Sequence, residues 1–338
     1  MASCNWLHFE SILQKYFDKY ALFIDIDFGQ LFSADDLDYI PKDPDTPIFL
    51  YGYEPCRYKP LHLLDLWYND IAYLREQLPN PIYQIHPETT FDILKNIGIN
   101  YIHTQQPEMV KCVWNYPVPG NLDIDKITKH FSFYNGKPHA HRQLVWNNIQ
   151  NDIPLGRCSW RNLAIDADID HRDKPHNFVD IPIQTHIPKD EPFEPCFFNH
   201  TTYSMLERDY ISTAYNICAE TVYFTGDAYV TEKTFKTFYA MRPAIWLAPA
   251  GTLKYLRSQG FKTHDYLFDE SYDNIQHDVT RLEFICKEIQ RVNSMPLEQL
   301  KQILFDNQHV LQYNFNYITK HYMNFLEQDF ERQLIQCL

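Results

Sequence analysis

Tyr215-Asn-Ile-Cys-Ala-Glu220-Thr-Val-Tyr-Phe-Thr-Gly-Asp-Ala-Tyr229-Val-Thr231-Glu232-Lys233-Thr-Phe-Lys236 joins an apolar run, a polar loop and an abrupt helix start. Tyr215 to Ala219 reads as a buried strand. Phe235, Phe238 and Tyr239 then recur at i, i+3 and i+4, one apolar face of a helix. Thr231 is the expected N-cap, because its hydroxyl can accept from the free N–H groups of the first turn. Glu232 and Lys233 fall in that turn, beside the positive end of the helix dipole. Free N–H groups, dipole and one ammonium make a seat for a phosphate, and a neighbouring carboxylate can accept sugar or ribose hydroxyls. An isolated Thr-Glu-Lys turn would be better read as a capped, solvated helix start.

Outward from this stretch, strands and helices alternate. Residues 7 to 20 read as a helix, Leu22 to Asp27 as a strand, Pro47 to Pro55 as a buried strand ending in an exposed carboxylate, and Leu61 to Leu78 as a helix. Ile82 to Ile85 is a strand, Thr90 to Ile97 a helix stopped by Gly98, and Asn100 to His103 a strand. Tyr116-Pro-Val-Pro-Gly120-Asn is the linker candidate. Beyond it come a strand at Phe131 to Tyr134, a helix at Ala140 to Ile149 and a long Pro-rich loop over 163–196. A strand at Ala244 to Ala248, a helix from Thr252 to Gln259 closed by Gly260, and a helix spanning Val279 to Val292 follow the central stretch. Pro296 at N1 opens a last helical region, broken near Asn307 or Asn314. Such alternation argues for α/β architecture with parallel sheets covered by helices.

The chain has 338 residues, 45% of them hydrophobic and 16% aromatic, which is too long for one comfortable domain. The expected division is 1–120 and 121–338, with the last helix able to pack back on the first domain. A formal charge of -14, from 44 acidic against 30 basic residues, disfavours a nucleic-acid partner. A phosphate-bearing small molecule needs only a few cations in a cleft. The eight cysteines, from Cys4 to Cys337, follow no metal-ligand spacing and suit reduced thiols. No apolar run is long enough to span a membrane and Met1-Ala-Ser-Cys-Asn has no signal-peptide pattern, so a cytoplasmic location is expected.

The Tyr229-Val-Thr-Glu-Lys233 core, with its preceding strand ending in Glu220, resembles the donor-binding motif of the alpha-1,3-fucosyltransferase family. Phe131-Ser-Phe-Tyr-Asn135-Gly-Lys-Pro-His-Ala-His-Arg142 resembles that family's strand, Asn-containing turn and Arg. Gly156-Arg-Cys-Ser159-Trp-Arg161-Asn162 resembles its small-residue loop with a donor-contacting Arg. Three blocks in order over roughly residues 130 to 265 carry the resemblance. Pro249-Ala-Gly251-Thr-Leu-Lys-Tyr-Leu-Arg-Ser-Gln-Gly260-Phe is similar to related glycosyltransferases of bacteria and large viruses. The first 120 residues carry no match, and the 163–196 stretch and the Glu220 to Glu232 interval depart from the family's pattern. The resemblance implies two Rossmann-like domains facing each other across a cleft, the GT-B type. It further implies metal-independent, inverting sugar transfer from a nucleotide diphosphate, with GDP-fucose favoured, to a glycan or other hydroxyl acceptor, without a cofactor.

On that reading Lys233 and Arg161 hold the diphosphate and Glu232 holds donor hydroxyls. Tyr229 packs on or hydrogen-bonds the sugar or nucleotide. Arg142 faces the diphosphate or pairs with an acid such as Asp152. Glu220 is either a ribose ligand or a structural acceptor of backbone N–H groups. Glu54, at the end of an apolar strand in Tyr-Gly-Tyr-Glu-Pro, is the candidate general base, with Asp25 and Asp27 behind it. Two alternatives stand beside this. One is a metal-dependent transferase or phosphodiesterase using an Asp-x-Asp pair (25/27, 43/45, 123/125, 166/168 or 168/170). The other is a non-catalytic sugar- or nucleotide-binding module.

The base assignment is directly testable. Glu54→Gln keeps the shape and removes the basicity, so donor affinity should stay within about threefold while single-turnover transfer slows by roughly 10² to 10⁴. Transfer at wild-type rate with donor pre-bound would sink Glu54 as the base.

Overall fold

The computed structural model describes residues 7–23, 43–51, 72–73, 75–86, 96, 98–105, 110, 122–135, 139–160, 210–224 and 228–338. The expected linker at 116–121, the 163–196 loop and most of the two helices expected at 61–78 and 90–97 lie outside them. The chain divides into two compact units, Met1–Glu108 with Tyr322–Leu338, and Met109–His321. Each is an α/β unit with its own parallel sheet.

In the first unit, β1 (Ala21–Phe23), β2 (Ile48–Tyr51), β3 (Ile82–His86) and β4 (Asn100–His103) lie in sequential order, all parallel. Helix α1 (Leu7–Tyr16) and the chain's last helix, Tyr322–Cys337, close its core. Phe9 stacks on Phe330 at 4.3 Å, and Phe49 stacks on Tyr83 at 4.8 Å across β2 and β3. Ile12, Leu13, Ile85, Ile102 and Leu334 complete this cluster. Gln333 reaches β4, donating to His103 O at 2.6 Å and accepting from His103 N at 2.9 Å. A side chain thus satisfies ladder groups of a sheet edge.

The second unit carries β5 (Lys129–Asn135), β6 (Arg157–Trp160), β7 (Thr213–Ala219) and β8 (Ala244–Leu247), in the order β6-β5-β7-β8 and all parallel. All seven residues of β7 are buried, as a central strand covered on both faces requires. The sequence placed 156–162 in a loop; residues 157–160 instead form the edge strand β6. Of Arg-Cys-Ser-Trp only the Trp is strongly strand-favouring, and pairing with β5 supplies what local preference does not. Gly156 precedes it because a Cβ there would meet the Phe131 ring at 2.5 Å.

Helix α2 (Ala140–Asn148) follows β5, and α3 (Glu232–Tyr239) follows β7. Alternation from the Ser132–Asn216 pair puts Phe133 and Cys218 on opposite faces of the sheet. Phe133 packs on Trp146 of α2, whereas Cys218 Sγ lies 3.7 Å from Thr234 Oγ1 of α3, so the two helices cover opposite faces. Phe238 of α3 stacks on Phe261 at 4.4 Å and packs against Trp246 of β8. After β8 come α4 (Thr252–Ser258), α5 (Asp278–Asn293), α6 (Leu297–Asp306), α7 (Gln308–Lys320) and, in the first unit, α8 (Tyr322–Cys337). Pro296 is the N-cap of α6 rather than N1, and the break falls at Asn307. Asn314 stays inside α7, buried, because its side chain bonds both Lys262 N and Lys262 O.

Gly260 sits at φ +91°, one residue past the C-cap of α4, and its N–H donates to Arg257 O while Phe261 N donates to Leu256 O. These two bonds are the Schellman pattern, whose left-handed residue favours glycine. A Cβ here would also meet Tyr317 Oη at 2.5 Å. Gly260→Ala should therefore lower stability by about 1–3 kcal/mol, read by urea denaturation. An unchanged midpoint would refute this account of the α4–α7 junction.

Candidate functional site

The strand order reverses between β5 and β7. From β5 the chain steps outward to β6 through α2; from β7 it steps the other way to β8 through α3. Such a reversal leaves a crevice outside the carboxyl ends of the two central strands, where ligands of doubly wound sheets bind. Asn135 ends β5 and Glu220 directly follows β7, so the first turns of α2 and α3 meet this position from opposite faces.

Glu220 is fully buried and works at both its carbonyl and its carboxyl group. One carboxyl oxygen accepts from Thr231 N at 3.1 Å and Thr234 Oγ1 at 2.5 Å; the other accepts from Thr231 Oγ1 at 2.6 Å. Both oxygens are therefore engaged within the chain. Thr231 is the N-cap of α3, accepting from Lys233 N, as the sequence predicts. Lys233 Nζ donates to Thr231 Oγ1 at 3.1 Å and Thr221 Oγ1 at 3.2 Å and pairs with Glu232 at 3.5 Å. Burial pushes the Glu232 carboxyl up, but the charges of Lys233 and Lys236 and its own backbone N–H outweigh that and hold it down to about 2. Glu232 and Lys233 keep 22% and 25% of their side chains exposed, which leaves this turn open to a ligand.

From the other face, Arg142 Nη2 donates to Ala219 O at 3.1 Å and Glu220 O at 3.0 Å. The expected alternative partner, Asp152, instead accepts from Asn293 Nδ2 at 3.0 Å. His141, which the sequence reading did not single out, bonds Glu220 O through Nε2 at 3.1 Å. Only the placement of residue 141 in the first turn of α2, directly before Arg142, could have flagged it. Its ring stacks on Tyr223 at 5.2 Å, and Arg281 covers the Tyr223 ring at 4.5 Å. Among the described residues, neither polar side-chain atom of Asn135, 2% exposed, nor His141 Nδ1 has a hydrogen-bond partner.

The sequence-predicted residues Arg142, Glu220, Glu232 and Lys233 thus gather at the ends of β5 and β7. Tyr229 is 5% exposed, in the segment leading to Thr231. Glu54, Arg161, Asp25 and Asp27 lie outside the described residues. Two Asp-x-Asp pairs are described, and both make local turns: Asp43 accepts from Asp45 N at 3.2 Å, and Asp123 from Asp125 N at 3.1 Å. The pairs at 25/27, 166/168 and 168/170 lie outside the described residues. Among the described residues, no group of three His, Cys, Asp or Glu could hold a metal ion, and no helix is long and apolar enough to cross a membrane. Comparison with known proteins found no matching family model, no matching curated protein and no matching solved structure.

Two buried histidines give the unit a pH signature. Burial, with the charges of Arg142 and His139, holds His141 well below the ordinary 6.5, and burial alone takes His264 down to about 3. Both are neutral in the folded chain and take up protons on unfolding below pH 6.5. The unfolded state then binds more protons, so stability falls as pH drops. Each such group contributes about 1.4 kcal/mol per pH unit while its folded form stays neutral. Glu232 adds to the loss only below its ordinary value of 4.5. Urea denaturation from pH 6.5 to 5 should show this slope, and His264→Phe, which keeps the stack on Trp246, should flatten it by roughly half. An identical slope in the variant would contradict the assignment.

Proposed function

We propose that this chain is a glycosyltransferase that moves a sugar, with fucose favoured, from a nucleotide-diphosphate donor to a hydroxyl acceptor. Transfer is inverting and metal-independent, and the two α/β units serve as Rossmann-like domains of the GT-B type. GDP-fucose is the favoured donor and the cytoplasm the proposed location. The observation that carries this reading is the strand reversal between β5 and β7, with Lys233 and the N-terminus of α3 at its carboxyl end. The resemblance of Tyr229-Val-Thr-Glu-Lys233 to a donor-binding motif points to the same place.

In an inverting displacement the acceptor oxygen attacks the anomeric carbon as the bond to the phosphate oxygen breaks. Negative charge develops on the departing diphosphate. The Lys233 ammonium and the positive end of the α3 dipole are the groups to stabilise it, and a preorganised cation loses nothing to reorganisation when the charge appears. Arg161 is proposed as a second cation on the diphosphate. Arg142 holds the end of β7 and lends its charge to the same crevice. Glu232 takes donor hydroxyls and Tyr229 packs near the sugar or nucleotide. Glu220 serves the donor side, through its hold on Thr231. The acceptor proton goes to a carboxylate of the other unit, with Glu54 proposed.

The test is a thermal-shift screen of GDP, UDP, CMP and dTDP nucleotides and their sugars in EDTA, followed by Lys233→Ala. A ligand at a hundredfold over its Kd stabilises the fold by about 2.7 kcal/mol. Lys233→Ala should weaken diphosphate binding about tenfold to a hundredfold while nucleoside binding is unchanged, because charge-assisted bonds contribute roughly 1.5–3 kcal/mol. Equal losses for nucleoside and diphosphate would make Lys233 structural.

A further inference from the structure

Residue 220 joins two helix starts that come from opposite faces of one sheet. Its carbonyl receives His141 Nε2 and Arg142 Nη2 from α2, at 3.1 and 3.0 Å. Its carboxyl group receives Thr231 N, Thr231 Oγ1 and Thr234 Oγ1 from α3. Thr231 Oγ1, whose proton goes to Glu220, is left to accept from Lys233 N and Lys233 Nζ. Two sets of hydrogen bonds, joined through the covalent frame of residue 220, therefore link the His141 ring to the Lys233 ammonium.

A carbonyl can only accept, so the bond to Glu220 O requires the proton on His141 Nε2. Nδ1 then carries a bare lone pair, buried and without a partner among the described residues. Alternation along β5 turns Asn135 to the face of Phe133, the α2 face, where its carboxamide is also buried and, among the described residues, without a partner. Unsatisfied buried groups of this kind are costly, and stable folds bear them at functional positions. The ring itself is fixed by the stack on Tyr223, whose hydroxyl donates to Asp278 O at 3.0 Å and whose carbonyl accepts from Arg281.

We propose that His141 is a positioning residue for the anion seat at the start of α3. Its Nε2–H sets residue 220, and residue 220 sets Thr231 and the Lys233 ammonium. The inference rests on the reading of that seat as a diphosphate site, but the positioning itself is measurable without a ligand. His141 contacts no reacting atom in this account.

The experiment compares wild type, His141→Phe and His141→Gln. Phe keeps the ring stack and loses the donor; Gln places an amide N–H close to where Nε2 sits. Hydrogen exchange read by mass spectrometry over residues 229–236 reports the seat, and titration with GDP and with inorganic pyrophosphate reports its use. His141→Phe should speed exchange in that segment and weaken both ligands by roughly three- to tenfold, the effect of one hydrogen bond. His141→Gln should restore both. Wild-type exchange and binding in His141→Phe overturn the inference, as does equal impairment of the two variants. If wild type binds neither ligand while exchange still separates Phe from Gln, the functional reading fails and the positioning role stands. Should His141→Phe not fold, 15N-histidine NMR of wild type decides: a proton on Nε2 and none on Nδ1 at neutral pH supports the inference, and any other state overturns it.

Discussion

The buried carboxyl group of Glu220 is the contact on which the second unit's working end depends. It replaces water with three donors from a single helix start, Thr231 N, Thr231 Oγ1 and Thr234 Oγ1. A buried carboxylate is tolerated only when its oxygens are satisfied in this way. The opposite end of the same strand–helix pair is held by Arg242, whose guanidinium donates to Thr213 O, Ile211 O and Met241 O. Burial pulls that side chain down to about 10. β7 and α3 are thus tied at both ends by buried ionisable side chains, with Phe235, Phe238 and Tyr239 filling the space between. Met241, at φ +52°, occupies the left-handed position that ends α3, with Arg242 N donating to Thr237 O.

This tie bears on chemistry because it sets how the start of α3 is capped. The neighbouring turn after β8 resembles α3 in topology but is capped differently. Asp273 accepts from Leu253 N at 2.9 Å and Lys254 N at 3.0 Å, which closes the start of α4 with an internal carboxylate. At α3 the internal carboxylate sits one step earlier, on the cap residue, while Glu232 and Lys233 stay partly exposed. The dipole of a capped helix still favours an anion there. Two helix starts on one sheet edge therefore satisfy their first N–H groups differently, α4 with a carboxylate from outside the helix and α3 with the cap hydroxyl and carbonyl.

The first unit is built by a different economy of contacts. Its four strands follow in sequential order, and α1 and α8 stack through Phe9 and Phe330, residues far apart in the chain. Gln333 covers ladder groups of β4 with one carboxamide. Acidic pairs that suggest metal chemistry in a sequence this rich in Asp turn out, at 43/45 and 123/125, to be turn-makers. An Asp side chain reaches the backbone N–H two residues on more readily than it reaches a distant ligand.

Periodicity and capping chemistry are local, and they were legible. The strand ending at Ala219, the Thr231 cap, the buried face of α3 and the Gly260 terminus all follow from residue type and spacing. So does parallel α/β architecture, from the alternation of elements. What residue order cannot carry is the partner of a side chain far away in the chain. Glu220 had two open roles until Thr231 and Thr234 were seen to fill its oxygens. Arg142 had Asp152 as a candidate and found backbone carbonyls seventy-odd residues away, 219 and 220. His141 had no signal beyond its place before Arg142, because its bond to Glu220 O exists only where α2 meets the end of β7. Strand β6 was hidden for the same reason, its pairing with β5 overriding weak local propensity. The sequence alone determined the elements and the cluster of charged residues at the start of α3. The reversal of strand order that brings α2 and α3 to one crevice, and the bonds that join them through residue 220, were decided by tertiary structure, because both depend on contacts between segments that propensity treats as independent.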